Sequence, residues 1–212
     1  EIGPTSILLT NRDGKVYGWG AGYLGAGQTN TYINRWPEPV TTGLFLAGKE
    51  VVQSSISNSH ALLLTSDGTL YGFGSGGGAV GDGTTATRTT PVPVDMTGEL
   101  SGKTIVQLYA GLQVSFVLTN DSMVYAWGSF RQADESVPTV QKNPTLLRTS
   151  GILTGSVVQI VAGSLPGQLY VLTDAGYIYR WSNSNGFEPI TSSSNVLYGK
   201  NIVEISGGEN HI

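Results

Sequence analysis

The chain has 212 residues, no cysteine and a formal net charge of −4 at pH 7. The absence of cysteine excludes disulfides, thiol catalysis and cysteine-based zinc sites. Charged residues make up only 12% of the sequence, against about 25% in ordinary domains. The eleven lysines and arginines are scattered, so the sequence offers no basic surface for nucleic acid. No apolar run approaches the roughly 18 residues of a membrane-spanning helix.

A tyrosine followed two residues later by a large aromatic residue recurs at a spacing of 54 residues. Self-similarity at a fixed period of this size is typical of repeat proteins. Only a structural position has to recur in every repeat, so we predict that these residues form the structural core. They are Tyr17 and Trp19, Tyr71 and Phe73, Tyr125 and Trp127, and Tyr179 and Trp181.

Each repeat opens with two apolar runs separated by a short polar turn. The four copies read ILLTNRDGKVYGWG, LLLTSDGTLYGFG, FVLTNDSMVYAWG and YVLTDAGYIYRWS. Short apolar runs bounded by Gly, Asp and Asn predict strands rather than helices. The turns TNRDG, TSDG, TNDS and TDAG contain residues that tolerate a left-handed backbone, as a tight turn requires. Each repeat is therefore predicted to begin with a β-hairpin.

Further along each repeat lie a variable loop, a proline segment and a last apolar run. The loops, at 20–38, 74–92, 128–143 and 182–188, differ strongly between copies. The prolines predict an outer strand, because proline has no amide hydrogen for a central ladder. The last runs, such as GKEVVQSS and GKTIVQLY, predict a strand that leads back to the next hairpin. Three to four strands per repeat of this length indicate propeller blades, with repeats at about 6–60, 61–114, 115–167 and 168–212.

The order of these motifs resembles the regulator of chromosome condensation repeat. The matching pattern is T-x-x-D-G-x-V-Y-x-W-G, a glycine-rich stretch, Pro-x-Val, and then G-K-x-I-V-Q-x-x-A-G-x-x-H, over nearly all of residues 6–212. The resemblance implies an all-β propeller, usually seven-bladed, to which this chain contributes four blades in a single domain, 1–212. Two departures are Ser57 at the position of a motif glycine, and a fourth copy about ten residues shorter after Trp181.

Four blades of a larger ring leave strand edges open to solvent. The sequence therefore predicts either a segment of a longer propeller or a chain whose ends pair with another copy. A closed four-bladed ring is a third alternative.

Two functions follow from the resemblance. The first is a non-enzymatic scaffold or binding module, whose variable loops contact a protein partner or neighbouring copies in a homo-oligomer or filament. Weakly charged loops rich in Gly, Ser and Thr suit protein subunits or saccharide. The alternative is a guanine nucleotide exchange factor for a small GTPase, with the exchange device outside this segment, since no copy carries an insertion. Neither function requires a catalytic residue, a cofactor or a metal in this chain.

A few single residues stand out from the repeat. Trp36 has no counterpart in the other copies; with Arg35, in the predicted loop NRWPEP, it is the predicted partner contact. Asn120 begins the sequon Asn-Asp-Ser in a hairpin turn, so it is either a glycosylation site or simply a turn former. The sequon, the low charge and the lack of cysteine favour an extracellular or cell-surface location over a cytoplasmic one.

Three further features have a functional and a structural interpretation. The sequence GAGYLG at 20–25 matches a dinucleotide-binding pattern, but no helical period follows it, which favours a blade loop. His60 and His211 share a repeat position; they either share a ligand in a central channel or each satisfy a nearby backbone group. Asp82, in the loop GDGTT, is expected to be a solvated carboxylate.

Overall fold

A computed structural model describes residues 6–27, 33–40, 45–130, 139–148, 151–163, 168–182, 185–191 and 196–207. The secondary structure in these residues consists of strands, which confirms the all-β prediction. Throughout the described ranges no helix is long and apolar enough to cross a membrane. His211 lies outside them.

Four antiparallel sheets follow one another along the chain. The first contains β1 (Ser6–Thr10), β2 (Val16–Ala21) and β3 (Ile33–Pro39). The second contains β4 (Val51–Ile56), β5 (His60–Thr65), β6 (Leu70–Gly74) and β7 (Arg88–Pro93). The third contains β8 (Ile105–Ala110), β9 (Val114–Thr119), β10 (Val124–Phe130) and β11 (Thr139–Leu146). The fourth contains β12 (Val157–Ala162), β13 (Gln168–Thr173), β14 (Ile178–Ser182) and β15 (Gly186–Pro189).

The sheets are offset from the sequence repeats by one strand. The Val-Val-Gln and Ile-Val-Gln runs, β4, β8 and β12, pair with the first strand of the following hairpin, not with the hairpin of their own repeat. The second sheet therefore covers residues 51–93, whereas the repeat drawn from the sequence begins at 61. This pairing links each repeat to the next by backbone hydrogen bonds.

The hairpin turns have the geometry that their sequences predict. In the second sheet, the Gly68 amide donates to the Thr65 carbonyl at 2.9 Å, and Gly68 has a φ of +83°. The third sheet has Ser122 at the same place, and this serine takes a φ of +64°, which is rare for a residue with a side chain. The Thr65 hydroxyl and the Thr69 amide both donate to Asp67, which fixes the turn.

The proline segments form the outermost strands, β3, β7, β11 and β15, as predicted. These strands begin earlier than expected, inside the stretches predicted as variable loops. The segment NRWPEP belongs to β3 rather than to a loop. An outer strand uses only one edge for backbone pairing, so prolines facing outward do not interrupt the sheet.

The sheets are joined by aromatic side chains that pack against the preceding sheet. Trp127 of the third sheet is completely buried and packs in a cluster with Leu62 and Leu64 of the second sheet. Its indole Nε1–H donates to the Ala79 carbonyl oxygen at 2.9 Å. The side chain thus fills the space between two sheets and satisfies its own polar group there.

The other aromatic positions pack against the preceding sheet in the same way, with one exception, although the buried indole nitrogen of Trp181 has no hydrogen-bond partner among the described residues. Phe73 packs with residues of the first sheet, and Trp181 makes edge contacts with Phe116 and Phe130 of the third sheet, at centroid distances of 5.9 and 5.8 Å. The exception is the first sheet, where Tyr17 and Trp19 are only half-buried. Trp19 lies in the first sheet of the chain, so no described sheet precedes it for the indole to pack against. Tyr71, Tyr125 and Tyr179 are each only 3% exposed.

Glutamines connect the innermost strands to one another. Gln53 of β4 donates to the Val106 carbonyl of β8 at 3.0 Å, and Gln107 of β8 accepts from the Ile160 amide of β12 at 2.9 Å. Gln159 of β12 bonds both backbone groups of Ile205. The innermost strands β4 and β8 therefore each bond the backbone of the next inner strand, and β12 bonds the backbone of the segment that contains Ile205.

A buried polar cluster lies at the joint between the second and third sheets. His60 is 1% exposed, and its Nε2 lies 2.7 Å from the Ser115 hydroxyl, which donates to the Ala79 carbonyl. Nε2 is therefore the donor to Ser115, and Nδ1 faces the hydroxyls of Ser57 and Ser59. The imidazole ring of His60 hydrogen-bonds to hydroxyls, whereas a bond to a backbone group was expected from the sequence. Burial lowers the pKa of His60 from 6.5 to about 4, so the ring is neutral at pH 7.

Replacing Trp127 with alanine should lower the free energy of unfolding by roughly 3 to 5 kcal/mol, because the change opens a large cavity between two sheets. The matched control is Trp19→Ala, which should cost clearly less, since Trp19 is only half-buried. Urea denaturation of the two variants and the parent chain measures both values. Equal losses in the two variants would contradict the proposed role of the inter-sheet contact.

Acidification should destabilise the chain through His60. The ring takes up a proton in the unfolded chain at pH values near 6.5 but in the folded chain only near 4. Its contribution to stability is therefore complete above pH 6.5 and is lost as the pH falls from 6.5 to about 4. At about 1.4 kcal/mol per pKa unit, the loss is about 3 kcal/mol.

His60→Gln removes this titration and places at position 60 the residue type found at Gln168, its equivalent in the fourth sheet. Melting temperatures of the variant should fall less steeply than those of the parent chain between pH 6.5 and 4. Parallel curves for the two proteins would show that His60 titrates normally.

Candidate functional site

The residues singled out by the sequence do not converge on one catalytic centre. Arg35 and Trp36 lie on the outer strand of the first sheet, and Asn120 lies in the hairpin turn of the third. His60 lies between two sheets, away from solvent. In the part of the chain that the structure describes, no group of three His, Asp or Glu side chains could hold a metal ion.

Trp36 is the most exposed aromatic side chain on an outer strand, with 77% of its surface accessible. It belongs to β3, where the pairing with β2 is irregular between Gly18 and Gly20. At this irregularity the three residues 35–37 of β3 lie opposite the single residue Trp19 of β2 and do not pair with it regularly. All three are exposed. The fold therefore leaves the side chains of Arg35 and Trp36 open to solvent, on a short stretch of β3 between residues that pair with β2.

The same irregularity occurs in the second and third sheets, which identifies the equivalents of Trp36. Gly74 pairs with Arg88 and Gly72 with Val92, so Thr90 takes the corresponding position in β7. By the same register Asn143 takes it in β11. The position carries small polar residues in the other two sheets, so the blade does not require a tryptophan there.

The loop between β6 and β7 is held by internal bonds. The Asp82 carboxylate accepts from Arg88 and from the hydroxyl and amide of Thr84. With a side chain only 9% exposed, Asp82 is not the solvated carboxylate that the sequence suggested. Burial acts to raise the pKa of Asp82, but the bonds from Thr84 and Arg88 outweigh it and hold the pKa below its ordinary value. The negative charge thus orders the loop.

The glycines of GAGYLG are not part of a dinucleotide site. The described residues that follow, 26–27, are not helical, so the pyrophosphate-binding helix terminus is missing there. A Cβ on Gly25 would lie 3.0 Å from the Phe73 ring, and a Cβ on Gly81 in the next sheet would lie 2.5 Å from Trp127 Nε1. These glycines let the loop close over the aromatic side chain of the next sheet.

Asn120 is exposed in its turn, with its backbone amide donating to the Thr104 carbonyl at 2.9 Å. Next to it, Asp121 pairs with Lys103 at 2.5 Å, as Asp67 pairs with Lys49 in the second sheet. The Lys103 amine, followed by the Thr119 hydroxyl, lowers the pKa of Asp121. The turn is accessible to solvent, and glycosylation of Asn120 stays a prediction.

The sequence is similar to proteins that contain repeats of the kind described above. It is 30% identical over 175 residues to the mouse regulator of chromosome condensation, covering 82% of this chain and 38% of that protein. It is 26% identical over 189 residues to the mouse E3 ubiquitin-protein ligase HERC2, covering 86% of this chain and 4% of that protein. The chain thus spans well under half the length of these relatives. No protein-family model matches the sequence.

Solved structures show the same fold. Human WBSCR16 superposes with a TM-score of 0.72 at 22% identity, over 90% of this chain and 52% of that one. Yeast RCC1 (Prp20), in its complex with Kap60, superposes with a TM-score of 0.67 at 22% identity, over 92% of this chain and 49% of that one.

These similarities confirm the interpretation of the repeated motifs and the fold. The offset sheets, the aromatic joints and the sequence relatives together place the chain in the regulator of chromosome condensation repeat family, as a set of β-propeller blades.

Proposed function

We propose that the chain is a protein-binding module whose propeller blades hold a contact surface formed by Arg35 and Trp36. The observation that carries this proposal is the 77% exposure of Trp36 on an ordered outer strand. A large apolar ring is costly to expose, and Trp and Arg are enriched among the residues that dominate protein–protein binding energies. The partner in this proposal is a protein surface with an apolar pocket for the indole.

The frame behind the surface supports the same function. Buried aromatic side chains and glutamine contacts hold the sheets to one another, and backbone pairing holds the strands within each sheet. A binding residue on an outer strand therefore loses little conformational freedom when it binds. In its solved structure yeast RCC1, which has the same fold, is bound to another protein, Kap60, and this supports a protein partner in the proposal. A related protein is a ubiquitin ligase, but this chain matches only 4% of it.

The experiment replaces Trp36 with a photo-reactive benzoylphenylalanine and irradiates cells that make the chain. Position 140 of β11 receives the same probe as a control, because Val140 is also an exposed apolar residue on an outer strand, at 47%. A cross-linked protein should be recovered from position 36 and not from position 140. The recovered protein is then purified and its affinity for the chain measured by calorimetry.

The variant Trp36→Thr introduces the residue found at the equivalent Thr90. It should weaken binding of that partner at least tenfold, about 1.4 kcal/mol, while the free energy of unfolding stays within about 0.5 kcal/mol of the parent value. Val140→Thr should change neither quantity. Unchanged affinity in Trp36→Thr would refute the surface, and a large loss of stability would show that Trp36 supports the fold.

The exchange-factor alternative is tested on the same material. If the cross-linked partner is a small GTPase, its release of bound GDP is measured with and without the chain. Acceleration of release would replace the scaffold proposal with the exchange function, and an unchanged rate would leave the binding function.

A further inference from the structure

A second surface with a distinct chemistry lies on the fourth sheet, at the end that carries the hairpin turns. A cleft of about 450 Å³ opens there between the turn of β13 and β14 and the segment 197–201. Its lining includes Tyr177, Tyr198, Lys200 and Asn201. Pockets that hold small ligands are of this size, roughly 300 to 1,000 Å³, and combine aromatic walls with a few polar groups.

The cleft itself is a feature of the repeat, but its tyrosines are not. A smaller cleft of about 280 Å³ lies at the same place on the first sheet and is lined by Lys15, Leu46 and Lys49, among others. The equivalents of Tyr177 in the first three hairpin turns are Lys15, Thr69 and Met123. Of the four sheets, the fourth alone has an aromatic residue at this position of the hairpin turn.

The position of Tyr198 follows from a repeated turn. The Lys200 amide donates to the Leu197 carbonyl at 3.0 Å, as the Lys49 amide does to Leu46 and the Lys103 amide to Leu100. The residue after the leucine is Tyr198 in this turn, and Ala47 and Ser101 in the other two. The frame accepts small residues at this position, so the tyrosine is not needed for folding.

Both rings are exposed, and bonds to Thr173 hold the backbone of Tyr177. Tyr177 is 40% exposed and Tyr198 is 63% exposed. The Tyr177 ring contacts that of Tyr179 at a centroid distance of 6.5 Å, and its backbone amide and carbonyl both bond to Thr173. The two tyrosines offer flat apolar ring faces at the cleft, and each also has a polar hydroxyl group.

The polar groups of the cleft can bond hydroxyls. Asn201 supplies both a carbonyl oxygen and an amide donor, and Lys200 supplies three donors. Gly176 allows Asn201 this close approach, because a Cβ on Gly176 would lie 2.8 Å from Asn201 Oδ1. Among its described residues the lining has no carboxylate and one amine, which does not suit a polyanion or a cation.

From the aromatic rings and polar groups that line the cleft of the fourth sheet, we infer that it binds a neutral saccharide. The faces of Tyr177 and Tyr198 would pack against the C–H face of the sugar rings, while Asn201 and Lys200 bond ring hydroxyls. This site is separate from the surface of Trp36 and does not depend on it.

The test uses the full chain labelled with 3-fluorotyrosine and observed by fluorine NMR. The probes are four neutral tetrasaccharides, of the malto, cello, chito and xylo series. The signals of Tyr177 and Tyr198, assigned from single variants, should shift saturably with at least one probe, while the signals of Tyr17, Tyr71 and Tyr125 in the other three sheets stay in place.

The double variant Tyr177→Lys, Tyr198→Ala carries the residues of the first repeat, Lys15 and Ala47, which the same frame accepts. It should keep the unfolding midpoint of the parent chain and lose at least tenfold in affinity for the probe, measured by calorimetry. Trp36→Thr is the control and should bind the probe as the parent does.

Two outcomes would overturn the site: the absence of a saturable shift with all four saccharides, and an unchanged affinity in the double variant. If no saccharide shifts the two signals but a proline hexapeptide does, the cleft is a peptide-binding groove instead.

Discussion

The structure depends on one contact, an aromatic side chain of the second, third or fourth sheet inserted against the sheet before it. Phe73 and Trp127 each lie beneath a glycine of the preceding loop. A Cβ on Gly81 would lie 2.5 Å from Trp127 Nε1, and one on Gly25 would lie 2.7 Å from a methyl group of Val40 and 3.0 Å from Phe73. Close packing of this kind leaves no room for a methyl group. The glycine-rich stretches therefore belong to the joint between sheets, although their spacing imitates a phosphate-binding loop.

Much of the fold could be predicted from the sequence, because its signals are local. A turn needs a left-handed residue, an outer strand accepts proline, and the spacing of 54 residues reveals the repeat. The offset of the sheets could not be predicted, since either neighbouring hairpin could pair with a Val-Val-Gln run. The bond of His60 to Ser115 joins residues 55 positions apart, and the shielding of Asp82 depends on how its loop folds back on Arg88.

The two proposed surfaces differ from the rest of the molecule in the same way. Trp36 corresponds to Thr90 and Asn143, and Tyr198 corresponds to Ala47 and Ser101. At each position the frame accepts a small residue, so the aromatic ring adds nothing that the sheets need for packing. Trp36 could be identified from the sequence because the other repeats have no counterpart to it, whereas Tyr198 was not identified. Tyr198 lies next to a Gly-Lys pair that recurs in three of the repeats, and its exposure is evident only from the structure.

The glutamines of the inner strands have a consequence for how such a chain can change over generations. Gln53 and Gln107 bond the main chain of the next inner strand, and Gln159 bonds the main chain of Ile205; none of the three bonds runs to a side chain. Every residue except proline carries the same main-chain donor and acceptor, so the junction excludes only proline from the neighbouring position. A blade could be duplicated, lost or exchanged between genes and still find a matching partner, which would allow each copy to diverge on its outer surface while the ring keeps its geometry.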